Sequence, residues 1–117
     1  MNTARETRRI MNSDPKWWRT PLMDFVDDFR YYKDAAMIAE PFELFDGKKD
    51  ALFASVIETL CDEMGIAMPD WLDSIPAAYE PYFVSELESL KAITIVETPA
   101  RFRSRKVFVG RDFLFRV

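Results

Sequence analysis

One stretch of this chain admits a single regular conformation. Between Lys48 and Met64 the large apolar residues are Leu52, Phe53, Val56, Ile57, Leu60, Cys61 and Met64. That spacing falls on one face of an α-helix and would scatter over both faces of a strand. Asp46 or Gly47 opens the segment, and Gly65 sits where a left-handed helix cap is expected, with Ile66 able to cover the end. A second stripe follows the same rule: Leu22, Phe25, Val26, Phe29 and Tyr32 predict a helix from Pro21 to Met37 or Ala39, ending before Pro41. Two amphipathic helices of this length commit the chain to a mainly α, small multi-helix domain.

The remaining segments are shorter. Ser13-Asp14-Pro15 and Thr20-Pro21 are two helix-start signals six residues apart, so a short turn is expected over 15–19. Met68-Pro69-Asp70-Trp71-Leu72 predicts a short helix before Pro76. Ser85 reads as the N-cap of a helix from Glu86 to about Ile93, with Glu86 and Glu88 in its first turn and Leu87 and Leu90 facing the core. Thr94-Ile95-Val96 is β-branched and reads as strand or fraying helix. Beyond Pro99, the alternation of Arg101, Phe102, Arg103, Ser104 and Arg105 predicts a short extended, β-like arm, with two short stretches or one bulge. An extended backbone would project the three arginines from one face.

Charge divides the chain the same way. The formal net charge is −4, but residues 1–19 carry +3, residues 20–100 carry −12 and residues 101–117 carry +5. We therefore read three parts: a flexible basic N-terminal arm over 1–14 (at most a short, poorly anchored helix), a helical domain over 15–98, and a basic aromatic C-terminal arm over 99–117. The last part packs on the domain or extends from it.

Chemistry is sparse. The chain has no histidine, which removes the commonest general base and the commonest transition-metal ligand. The single Cys61 lies in the apolar stripe, where a thiol packs as a small hydrophobe, and one cysteine in a chain without a disulfide partner suits a reducing cytosol. Glu58 and Asp62, one helical turn apart, could share a proton or a metal; with no histidine, a solvated helix face is the plainer reading. The same holds for Asp24, Asp27 and Asp28. Gly47, Gly65 and Gly110 are isolated and build no phosphate-cradling loop. No apolar run reaches the roughly 20 residues of a membrane span, and residues 1–12 lack the apolar core of a signal peptide. We expect no catalytic residues, no metal and no cofactor.

Binding is the remaining class. Adjacent Trp17 and Trp18 cannot both face one core from one turn, so one is a candidate interface anchor. The arm supplies Arg101, Phe102, Arg103, Arg105, Lys106 and Phe108, which suit an acidic protein surface, a second copy of this chain, or phosphates. Folded back, the same residues would neutralise their own acidic body.

Three segments carry a resemblance: D-A-L-F-A-S-V-I-E-T-L-C-D-E-M-G at 50–65, M-P-D-W-L at 68–72, and P-A-R-F-R-S-R-K-V-F-V-G-R-D-F-L-F-R-V at 99–117. Together they resemble the C-terminal region of bacterial antitoxin-like or regulatory proteins in which a repressor-type helix-turn-helix often comes first. The N-terminal 40-odd residues here are too short and too acidic for that module, so a DNA function does not carry over. The resemblance implies an accessory half whose role is partner binding or self-association, with a nucleotidyltransferase-type toxin as the implied neighbour. The expected function is a non-enzymatic, cytoplasmic protein-interaction module, antitoxin-like, acting through the C-terminal arm, with no membrane contact. The alternative is a nucleic-acid-binding regulator using the basic termini.

Overall fold

The fold is built around α3 (Gly47–Met64). Asp46 caps it, its side chain accepting from the Lys49 N–H at 2.9 Å, and Gly65 closes it in the left-handed region at φ 66° with its N–H on the Cys61 carbonyl. Every residue from Asp50 to Glu58 is buried, so the helix is sheathed on all sides rather than amphipathic. The structure is a computed structural model and describes residues 2–85 and 88–115.

α2 (Arg19–Tyr32) lays Leu22, Phe25, Val26 and Phe29 against α3. Phe25 meets Phe53 edge-on at 5.2 Å, and Phe42, arriving from the connector, stacks on Phe53 at 5.3 Å. The helix stops well before Met37. Lys33 turns left-handed at φ 52° and its N–H closes on Phe29 O. Asp34 then accepts from the Ala36 N–H and starts a 3-10 turn over Ala35–Ile38. An aspartate that caps the next turn competes with helix continuation, and the turn buries Met37 and Ile38.

Most of the segment expected as a flexible arm is helical. α1 (Ala4–Ser13) is a ten-residue helix with Thr3 as N-cap, and Ala4, Thr7, Arg8 and Met11 are its buried face. The spacing is that of an ordinary amphipathic stripe with a threonine and an arginine standing in for apolar residues, so no apolar face shows in the sequence. Arg8 is 1% exposed; its Nε donates to Asp50 Oδ1 at 2.8 Å, and Asp46 lies 3.6 Å from its Nη2. Asp50 also accepts from the Phe45 N–H at 3.0 Å.

The C-terminal third wraps the other side of α3. α4 (Glu88–Glu97) includes Thr94, Ile95 and Val96, which are helical and not strand. Glu86 and Leu87, expected in its first turn and in the core, lie outside the described residues, as do the last two of the chain. α5 (Ala100–Ser104) replaces the expected extended stretch. β2 (Val107–Phe108) pairs in parallel with β1 (Tyr82–Phe83), Tyr82 opposite Val107 and Phe83 opposite Phe108. This two-stranded sheet is the one β element among the described residues. The mainly α class expected from the sequence holds. The Cα radius of gyration, 13.3 Å, is the value of a single packed domain of this length, about 13 Å, and among the described residues the 99–115 segment is docked rather than extended into solvent.

Candidate interaction surfaces

The C-terminal segment is docked, and helical phase decides the fate of its arginines. In α5, Phe102 points into the core, fully buried, and meets Phe113 edge-on at 6.1 Å. Arg101 and Arg105 are four residues apart and fall on one side of that turn. Glu58 and Asp62 on α3 have the same spacing. Arg101 grips Asp62 with Nε at 2.8 Å and Nη2 at 3.2 Å. Arg105 donates Nε to Glu58 Oε1 at 2.9 Å, Nη2 to Leu72 O at 2.8 Å, and Nη1 to Ile75 O. Glu58 and Arg105 are both buried.

Two expectations are thereby corrected. The three arginines do not project from one extended face: Arg105 is spent inside the protein, Arg101 is committed to α3, and the exposed Arg103 donates to Thr98 O at 2.8 Å. Glu58 is buried and not on a solvated face, whereas Asp62 is exposed as expected; each is matched to an arginine. Among the described residues, no group of three or more His, Cys, Asp or Glu could hold a metal ion. Phe102, expected at a partner surface, is core. Phe108 is half-buried and stacks on Phe83 at 4.9 Å. Lys106 is exposed, at φ 61°.

Burial pushes the Cys61 thiol up to about 11, with the neighbouring Asp62 and Glu58 adding to the effect, so the group is a neutral thiol at physiological pH. Burial also raises the Asp50 carboxyl above its ordinary 3.8, outweighing the opposing hydrogen bonds from Arg8 and Phe45.

The tryptophans divide. Trp17 is 62% exposed. Trp18 packs against the core, with the Arg19 guanidinium 5.3 Å and the Lys49 ammonium 5.0 Å from its ring.

The largest departure from expectation lies on α4. Its core-facing side is polar: Thr94 and Thr98 are buried, and the Thr98 hydroxyl accepts from the Val109 N–H at 3.2 Å. Its outer side is apolar: Leu90 is 39%, Ile93 52%, Ile95 49% and Val96 79% exposed, with Ala92 exposed between them. Leu90 was expected in the core. Leu90 lies one turn before the buried Thr94 on the same side of the helix, yet is 39% exposed. The signal in the sequence was the apolar run 92–96 interrupted only by Thr94, whose β-branching reads equally well as strand. No helix of the described residues is long and apolar enough to cross a membrane. Comparison with protein-family models, with curated proteins and with solved structures gives no match to this chain.

Proposed function

We propose that the protein is a non-enzymatic interaction module whose contact surface is the outward face of α4, and that its occupant is a second copy of the chain. The observation that carries this reading is the row of exposed apolar residues on α4, Leu90, Ile93 and Val96, three apart and on one side, with Ile95 exposed on the opposite flank. Water-exposed apolar residues gathered on one helix face mark a docking site. Glu97, which flanks this face, is paired with Arg111 at 2.9 Å, so its charge is matched within each copy and two copies can meet there.

The magnitude sets the strength. Leu90, Ile93 and Val96 together expose a little under two whole side chains' worth of surface, and covering that contributes on the order of 2.5–5 kcal/mol per copy. Association costs about 4–15 kcal/mol. The complex is therefore weak, in the micromolar to millimolar range. Sedimentation equilibrium between about 10 µM and 1 mM tests it. The expected result is a mass that rises with concentration in the wild type and stays monomeric in Ile93→Lys and Val96→Lys, which change exposed positions. A wild type that is monomeric throughout overturns the reading.

The antitoxin-like accessory role is the biological setting that the resemblance implies for such a module. Co-purification with the product of the adjacent gene tests that part separately. A nucleic-acid role for Arg5, Arg8, Arg9, Arg101, Arg105 and Arg111 loses support, because each faces a carboxylate of this chain.

A further inference from the structure

With those terminal arginines engaged, the uncommitted cations lie elsewhere. Arg19, at the start of α2, and Lys48 and Lys49, in the first turn of α3, have no carboxylate within ion-pairing distance among the described residues. Each is seated on aromatic rings. Arg19 lies 5.2 Å from the Phe113 ring and 5.3 Å from that of Trp18. Lys49 lies 5.0 Å from Trp18 and 5.1 Å from Tyr82, and Lys48 lies 5.7 Å from Tyr82. Cation and ring thus alternate along one continuous surface row contributed by four segments of the chain. The rings are half-buried and hold the cations in place, so little side-chain freedom is left to lose on meeting an anion.

Two exposed rings accompany the row. Trp17 precedes Trp18 in the chain, is 62% exposed, and has Lys16 5.5 Å from its indole. At the Lys48 end, a shallow cleft lined by Gly47, Lys48, Tyr79 and Glu80 brings Tyr79 beside Lys48, and Tyr79 is 94% exposed. The inner rings are engaged by the row's own cations and Trp17 by Lys16, whereas Tyr79 has no cation over its ring among the described residues. A row of cations for phosphates with exposed rings for bases is the construction that binds single strands. An acidic peptide would use the cations but has no need of the two exposed rings. A duplex keeps its bases stacked and cannot use the rings either.

We propose that this row binds a short single-stranded nucleic acid, with Arg19, Lys48 and Lys49 on phosphates and Trp17 and Tyr79 stacking on bases. Fluorescence anisotropy of a labelled oligonucleotide of about ten thymidines, titrated with the full chain, tests it, with competition by the matching duplex and by poly-glutamate. Three phosphate contacts set a slope of about −2 for log K against log salt. Lys48→Ala/Lys49→Ala is expected to abolish most of the binding and flatten that slope. Trp17→Ala and Tyr79→Ala are each expected to weaken binding by about 5- to 100-fold. Arg103→Ala and Lys106→Gly, exposed cations outside the row, are expected to leave it unchanged. Circular dichroism and urea midpoints confirm that each variant is folded. No binding at low salt overturns the proposal. So does equal competition by duplex, or poly-glutamate competition together with insensitivity to Trp17→Ala and Tyr79→Ala, which would identify an acidic peptide as the occupant.

Discussion

Replacing Arg105 with alanine is the most demanding test of how the C-terminal segment is held. Its guanidinium spans three parts of the chain: Glu58 on α3 and the carbonyls of Leu72 and Ile75. Removal leaves the Glu58 carboxylate buried, with Arg101 Nη1 at 3.9 Å as its nearest cation, and strips a donor from each carbonyl. Breaking a buried pair from one side costs about 3–5 kcal/mol, most of it the stranded charge. A domain of this size has a stability on the order of 6–18 kcal/mol, so the variant still folds. With a urea m-value of about 1.5–2 kcal/mol per molar, the midpoint falls by about 2 M at unchanged m. Arg111→Ala is the control, because Arg111 makes an exposed pair with Glu97 at 2.9 Å, worth at most about 1 kcal/mol. The double variant Glu58→Leu/Arg105→Met removes the stranded charge but does not restore the donor lost at Ile75 O, whereas Leu72 O keeps the Ile75 N–H, so it recovers only part of the loss. If Arg105→Ala unfolds within 0.5 M of Arg111→Ala, the docking does not rest on this pair and the reasoning fails.

Three further outcomes follow from buried or strained positions. The Asp50 carboxyl titrates above 3.8, so the folded state holds its proton longer than the unfolded one. In the window from 3.8 up to that raised value this group's contribution to stability falls as pH rises, and acidification through the window restores it; a carbon NMR titration midpoint at or below 3.8 refutes this. Cys61, buried and raised to about 11, reacts with a disulfide reagent at pH 8 only after urea unfolding; stoichiometric labelling of native protein within minutes would contradict the burial. Lys33 sits at φ 52° as the C-terminal cap of α2, so Lys33→Gly raises stability by about 1 kcal/mol; a lower thermal midpoint in that variant would show that the lysine side chain contributes more than its backbone strain costs.

Helical phase explains what the sequence disclosed and what it concealed. The α3 helix and both of its caps are legible, because a sheathed helix still repeats every three or four residues and Asp46 and Gly65 punctuate it. The start of α2 is legible for the same reason; its end is not, because Asp34 works through a side-chain contact that leaves no periodic trace. R-F-R-S-R misleads, since a single turn of helix and a short strand both alternate over five residues. The informative match was between segments: Arg101 and Arg105 share with Glu58 and Asp62 a spacing of four, the signature of two helices facing each other. Arg8 is hidden because a charge in a helical stripe reads as a break in it. The parallel pairing of β1 with β2 rests on two residues on each side, too few to leave any pattern. The cation–aromatic row draws on four separate segments, and only the fold assembles it.

The Arg105 contacts also bear on time. The Phe25–Phe53 contact joins neighbouring helices, whereas Arg105 reaches Glu58 across 47 residues and finds Leu72 O and Ile75 O only after three segments have met. The expectation is that such a side chain locks late, after the folding barrier has been crossed. Interactions absent from the transition state set how fast a protein opens and not how fast it closes. Losing about 3–5 kcal/mol there multiplies the unfolding rate by about 100- to 4,000-fold and leaves the folding rate in place. On a chevron plot the unfolding limb of Arg105→Ala rises alone; a folding limb that falls with it would place the lock early. Arg105 is in this sense a latch on the lifetime of the folded molecule.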